Sequence, residues 1–317
     1  MALIQRSLKC FPLFTATIGF FLLTFKKEPV KVTASAYILE SVLERWRDKG
    51  NMVSRVRQRS YRRTVLGIST VMLLLTLWYI TTTGTGLINP SRFPRPDEVL
   101  SALNFIQTEG YGNGKLHQHV LHSLKLVAMG FAVAVSVGVP LGLLMGYSRR
   151  AEALINPAFL LLRPIPPLAW IPLAIVWLGL DDGSKILVIF VAAFVPSVIN
   201  SYTGVRNIET PVMEAASVLG IKGWRMVAEV LVPGAMPMIF TGLRLSLQAS
   251  WTTLVAAELI GALYGLGSIL NQAAQDIFPA MILVAMAFVG ICGASTTWLL
   301  GILENHAMPW RKGRVAA

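Results

Sequence analysis

The side chains in this 317-residue chain that could do chemistry are few, and their spacing suits holding a small polar solute rather than making bonds. Arg244, Gln248, Trp251, Thr252, Val255 and Glu258 recur three or four residues apart, which places them on one stripe of a helix. Arg163 is a further cation set in apolar sequence. A charge at mid-bilayer costs at least about 2.5–3.5 kcal/mol on insertion scales, so such a stripe should face a bundle interior or a water-filled path. A path so lined would admit a small anion or zwitterion. The competing reading is a polar clasp between helices, with Arg244 snorkelling to the membrane surface. A structural or gate role is favoured for Arg163 and Arg244, and clasp and gate are evenly matched for Glu258. His117, His119 and His122 resemble a metal cluster, but no carboxylate or thiol joins them at ligand spacing, and a polar helix start accounts for them better. Cys10 and Cys292 stand alone, and no nucleophile–base constellation is present. Gly110-Tyr111-Gly112-Asn113-Gly114-Lys115-Leu116 comes nearest to a phosphate-cradling loop, with the wrong spacing and no hydroxyl after the lysine. Enzyme chemistry is therefore not expected of this chain, nor a cofactor of its own.

The elements that would position the stripe follow from composition. Hydrophobic residues make up 54% and charged residues 14%, against about 25% charged in soluble domains, which is too few to coat a soluble protein of this size. The chain reads as an all-α integral membrane protein. That excludes a cytosolic enzyme, a disordered tail protein and a secreted disulfide scaffold. Runs near the roughly 20 apolar residues that a bilayer demands predict six spans, over about 65–83, 120–147, 155–180, 184–205, 237–262 and 278–302. Pro164, Pro166, Pro167 and Pro172 break the backbone hydrogen bonding of the third, which is expected to be buried in the dimer or beside the path; a plain kinked helix with no transport role is the alternative. Arg149 and Arg150, then Arg206, Lys222 and Arg225, then Arg311, Lys312 and Arg314 fall on the same side as the cluster Arg55–Arg63. Basic loops stay in the cytoplasm, so both termini are expected there. The opposite side receives a loop over about 90–115, extended and then helical with Asp97 as its cap, and a stretch over 264–277.

The net charge of +12 is concentrated in residues 1–64, which hold 13 basic against 4 acidic residues. With no aromatic stacking platform beside the arginines, this arm reads as a topology signal in contact with anionic lipid, not a nucleic-acid site. Residues 1–51 fit a span poorly. They are expected to be an interfacial segment or an upstream mis-assigned start, with Met52 as initiator. The organisation is then a basic arm (1–64), a membrane domain (65–303) and a basic tail (304–317).

One loop on the basic side is long, over 206–236. Glu214-Ala215-Ala216 favour a helix, Gly220 suits a left-handed helix end, a second helix follows from Gly223, and Pro233 should stop it. The loop is net neutral, yet Val218, Leu219, Ile221, Trp224 and Met226 need cover. A docking element for a soluble partner fits this better than a hairpin lying on lipid.

Glu214-Ala215-Ala216, Gly220 and Val230-Leu231-Val232-Pro233 at this spacing resemble the EAA loop of ABC-importer permeases. Valine stands at both aliphatic places of the usual ending. The resemblance extends over about 65–311 and implies the type I importer permease fold with about six transmembrane helices. It implies a homodimer in the bacterial inner membrane, two ATP-binding subunits that hold ATP and Mg, and an extracytoplasmic substrate-binding protein. Glu214, Ala215, Ala216, Gly220, Lys222, Trp224 and Pro233 would couple the permease to the ATPase. Arg163-Pro164-Ile165-Pro166-Pro167-Leu168-Ala169-Trp170 and Thr253-Leu254-Val255-Ala256-Ala257-Glu258-Leu259-Ile260 are similar to the nitrate/sulfonate/taurine importers, and the first has the form of the taurine branch. Taurine is the substrate implied. The alternatives are nitrate, bicarbonate or another organic anion through the same machinery, and remotely an ion-coupled transporter or a scaffold.

Overall fold

A computed structural model describes residues 65–84 and 93–310; the basic arm, the start at Met52 and the tail beyond Trp310 lie outside them. The chain divides into two units, 1–77 and 78–317. Helix α1 (Val65–Thr83) begins in the first and is apolar on every face, the composition of a lipid-exposed span. All the other elements belong to the second. They are α2 (Pro96–Thr108), α3 (Leu116–Tyr147), α4 (Arg149–Leu162), α5 (Ile171–Leu178), α6 (Asp182–Arg206), α7 (Thr210–Val218), α8 (Trp224–Gly261), α9 (Leu266–Gln275) and α10 (Pro279–Ala307). Among the described residues five helices are long and apolar enough to cross a bilayer, and the bent pair formed by α4 with 167–178 is a sixth if the two halves are counted as one span.

Helix α6 is the central post. Its neighbour α3 carries Gly130, Gly138, Gly142 and Gly146 on one face, where a Cβ at Gly142 would lie 2.5 Å from the Val198 carbonyl oxygen. Only glycine allows that approach, as in other small-residue contacts between membrane helices. On its other side α6 meets α8, where Gly204 faces Ala235 and Gly242 faces Asn200. Buried serines bind the pair further: Ser197 and Ser246 share a hydrogen bond of 2.8 Å, and Ser246 donates to the Ala193 carbonyl at 2.7 Å. At the end of the bundle near residue 206, Glu152 of α4 accepts from the Tyr202 hydroxyl and the Arg206 guanidinium of α6.

The structure corrects or extends the sequence expectations in four places. The third span is not a kinked helix: α4 and the segment 167–178 meet at 82°. Pro164, Pro166 and Pro167 remove three N–H donors, and Pro166, which precedes a proline, is extended at ψ 134°. Pro233 does not stop the second helix of the loop. A π-helical stretch over Val227–Leu231 precedes it, and the Val232 N–H reaches back to the Val227 carbonyl. This wider turn accommodates the ring, so α8 runs unbroken through 38 residues. Asp97 is not the cap of α2: Arg95 holds that place, and its N–H donates to the Glu98 carboxylate at 3.0 Å. The stretch 264–277 contains a helix, α9, amphipathic with Leu266, Ile269 and Ala273 buried.

Candidate functional site

The polar stripe lies on α8 and is met by a row of small residues on α10. Gly290, Gly293, Ala294 and Gly301 leave room for a groove of about 940 Å³ between the two helices. Arg244, Gln248, Trp251 and Thr252 line it from the α8 side, and Thr297 and Asn305 from the α10 side. Trp251 is only 5% exposed. Its indole N–H donates to Thr296 Oγ1 at 3.0 Å, and Thr296 in turn donates to the Cys292 carbonyl at 2.9 Å, so the ring presents one fixed face. The Arg244 guanidinium donates to the Glu304 carboxylate, which pairs α8 with α10 at the groove's end nearest residue 224. That pair leaves the groove polar but without net charge from Arg244. The wall is otherwise mostly apolar, as small-molecule sites are.

Arg163 and Glu258 are not part of this groove. Arg163 is exposed at the end of α4, on the corner between the two halves of the broken span. Glu258 is fully buried, one end of α8 away from Arg244. Its carboxylate accepts from the Ser123 hydroxyl at 2.7 Å and from the Gly267 N–H at 2.8 Å. Ser123 accepts from the Leu266 N–H at 2.9 Å. His119 Nδ1 accepts from the Gly265 N–H at 3.0 Å, and its Nε2 lies 3.2 Å from the Tyr111 carbonyl, which fixes the Nε2–H tautomer. His119 thus holds a helix junction, and among the described residues no group of three His, Cys, Asp or Glu could hold a metal ion. His122 meets a carboxylate that its sequence neighbourhood lacks, Asp182 at 3.2 Å, and Asp182 also pairs with the nearly buried Lys185 at 3.5 Å.

The second site is the hairpin between α6 and α8. Helix α7 ends in a Schellman motif: the Ile221 N–H donates to the Ala216 carbonyl and the Gly220 N–H to the Ser217 carbonyl, both at 3.0 Å. Gly220 (φ 75°) and Gly223 (φ 61°) both lie in the left-handed region, where a Cβ is penalised. Ala216 packs inward with Met226 and Leu231. Glu214, Ala215 and Lys222 are exposed, and Pro233 is half-buried at the foot of the hairpin. Val218, Leu219 and Trp224 are 87, 78 and 78% exposed, so the tip presents apolar surface that none of the described residues covers. Arg225 and Glu229 pair along one face at 2.9 Å.

The profile of a family described as "Binding-protein-dependent transport system inner membrane component" matches residues 138–309, from α3 through the hairpin to the end of α10. The chain belongs to that family. It is therefore a multi-pass permease subunit of an ABC importer of the inner membrane, a transport component whose ATPase and substrate-binding protein are separate chains. Among curated relatives it is similar to the taurine transport system permease protein TauC of Escherichia coli (strain K12), with 36% identity across 78% of this chain and 90% of TauC. It is 33% identical to the putative aliphatic sulfonates transport permease protein SsuC of Bacillus subtilis (strain 168), across 77% of this chain and 87% of SsuC. It is also 33% identical to the nitrate import permease protein NrtB of Synechocystis sp. (strain ATCC 27184 / PCC 6803 / Kazusa), across 83% of this chain and 95% of NrtB.

What the sequence reading missed lies on α10 and α3. Thr296, Thr297, Glu304 and Asn305 complete the groove, and His119 and Ser123 complete the Glu258 cluster. The signal for α10 was its small-residue face, Gly290, Gly293, Ala294 and Gly301, three or four residues apart and their multiples. No local signal ties Ser123 to Glu258, because 135 residues separate them.

Proposed function

We propose that this permease imports a small sulfonate, taurine first, by alternating access. Its path is the groove between α8 and α10, closed by a second copy of the chain about a two-fold axis. In this reading the hairpin faces the cytoplasm, as do both termini, and the end carrying α9 faces the substrate-binding protein. Two ATP-binding subunits grip the hairpins of the dimer through Val218, Leu219 and Trp224. Glu214, Ala215, Ala216, Gly220, Lys222 and Pro233 set the hairpin's shape and orientation. The observation that carries the proposal is that groove and hairpin share one helix. Helix α8 rises from the hairpin tip and continues past Arg244, Gln248, Trp251 and Thr252, so a push on the tip displaces the groove wall. Arg163, at the corner of the broken third span, would act as a gate or a structural post outside the groove. ATP and Mg belong to the partner subunits.

The pairing of Arg244 with Glu304 supports a zwitterion over a bare inorganic anion. A molecule carrying both a sulfonate and an ammonium can address both partners, whereas nitrate would meet a cation already neutralised. Nitrate or bicarbonate through the same path is the second reading, favoured by the similarity to NrtB. Labelled-taurine uptake in cells lacking the gene, with and without its restoration, separates the two. Restored uptake that excess nitrate does not reduce supports the sulfonate reading. A membrane-inserted chain with its ATPase but no taurine uptake discards taurine.

A further inference from the structure

The end of α8 opposite the hairpin is tied to α9 by a contact that the transport path does not explain. The first three N–H groups of the α9 entry, on Gly265, Leu266 and Gly267, are each held by a side chain: His119 and Ser123 of α3, and Glu258 of α8. Glu258 is fully buried, and the N-terminal dipole of α9 points at its carboxylate. A Cβ at Gly267 would lie 2.6 Å from Glu258 Cβ, so the backbone is fitted against this residue with no space for a side chain. Glu258 also accepts from Ser123, which ties α8 to α3 through one hydroxyl. Helix α9 is bounded by two unusual backbone conformations. Gly265 has φ 129°, and Ile277, branched at Cβ and 80% exposed, has φ 53°. Such a conformation at a β-branched residue marks a strained junction. A ten-residue helix between these two junctions is built to move as a unit with whatever holds its first turn.

We propose that Glu258 is a positioning residue that carries the motion of the α8 rod to α9, so that displacement of the hairpin at one end shifts α9 at the other. The proposal rests on the importer reading above. Glu258 grips α9 through its bond to the Gly267 N–H, while the ties from α3, through Ser123 to Glu258 and the Leu266 N–H and through His119 to the Gly265 N–H, are the part that releases when α8 and α3 separate.

The test uses the permease copurified with its ATPase in nanodiscs, with Cys10 and Cys292 replaced by serine. Position 273, buried on α9, receives the single cysteine as Ala273→Cys, and its rate of maleimide labelling is read with and without ATP and vanadate. Nucleotide should change the parent rate by at least about fivefold. In Glu258→Gln the rate should be raised without nucleotide and respond by less than about twofold. In Ser123→Ala, which cuts the bonds of α3 to Glu258 and to the Leu266 N–H but leaves the Glu258–Gly267 link, the starting rate should rise while the nucleotide response remains. A parent with no response, a Glu258→Gln protein that keeps it, or two variants that behave alike would each overturn the proposal. Should Glu258→Gln fail to accumulate, loss of the nucleotide response in Ser123→Ala would overturn it equally. Labelling requires no substrate, so a failure of taurine uptake with normal labelling would remove the substrate assignment and leave the link standing.

Discussion

The two ends of α8 are built on opposite principles. At one end the Glu258 carboxylate, the Ser123 hydroxyl, the His119 ring and three backbone N–H groups satisfy one another in full burial. At the other, Val218, Leu219 and Trp224 stand in the open on a turn made by two left-handed glycines. A polar cluster closed on itself gains most from staying as it is, because any partner removed leaves a buried donor or acceptor unpaired. An apolar tip that the described residues leave uncovered gains from a partner, which the importer reading supplies as an ATP-binding subunit. One helix thus joins a self-sufficient polar cluster, the anchor, to an exposed apolar tip, the handle of the proposed lever.

The largest effect should come from cutting the anchor. Glu258→Ala strands the Ser123 hydroxyl and the Gly267 N–H in the interior. At about 1–3 kcal/mol for each unpaired group, the loss is about 2–6 kcal/mol. Thermal unfolding of the detergent-solubilised chain, followed by size exclusion, should show a clear fall in midpoint; an unchanged midpoint would mean the anchor is not closed as described. The handle should behave differently. Gly220→Val forces a β-branched residue to φ 75°, at a cost of about 1–2 kcal/mol confined to an exposed turn. The chain should insert normally, while substrate uptake falls and ATP hydrolysis by the assembled complex persists. Normal uptake by this variant would erase the contrast between the two ends.

This contrast also explains how much could be read in advance. Handle and stripe are local patterns. Gly220 follows Ala216 by one helical turn, Arg244 to Thr252 recur at helical spacing, and both were legible from the chain alone. The anchor is not local. Glu258 was visible as a costly charge, but its meaning depends on Ser123, 135 residues earlier, and on backbone N–H groups that no side-chain pattern announces. The proline arguments divide the same way. Three prolines within four residues broke the third span more sharply than a kink, whereas the single Pro233 was absorbed by five residues of π-helix. Proline identity gives the missing donor; only the packed neighbours decide whether the helix bends, widens or ends.

A middle-sized effect should come from the groove between the two ends. Trp251→Phe keeps an aromatic wall but removes the donor to Thr296. One neutral hydrogen bond is worth about 1 kcal/mol, or about fivefold in an equilibrium constant. Uptake should weaken mainly through a raised KM, with thermal stability lowered by a similar small amount. A stability loss without any change in KM would make Trp251 part of the helix packing alone, and move the path elsewhere.

The smallest effect should come from the surface beside the anchor. The Tyr111 hydroxyl donates to the Asp276 carboxylate at 2.5 Å, linking the loop before α3 to the residue after α9. Partial burial first, and then that carboxylate, hold the Tyr111 hydroxyl above its ordinary range. A phenol whose folded value is raised contributes stability in full below the unfolded value of about 10 and loses it as pH rises through the folded value. Removing the hydroxyl in Tyr111→Phe should therefore cost about 0.5 kcal/mol for one exposed hydrogen bond, evenly from about pH 7 to about pH 9. Above about pH 10 the unfolded tyrosine ionises, so the wild-type advantage should shrink. Thermal unfolding of the two proteins across that range reads this directly. A difference that grew with pH would mean the hydroxyl is bound as the phenolate, and the loop would then be held by a cation rather than by Asp276.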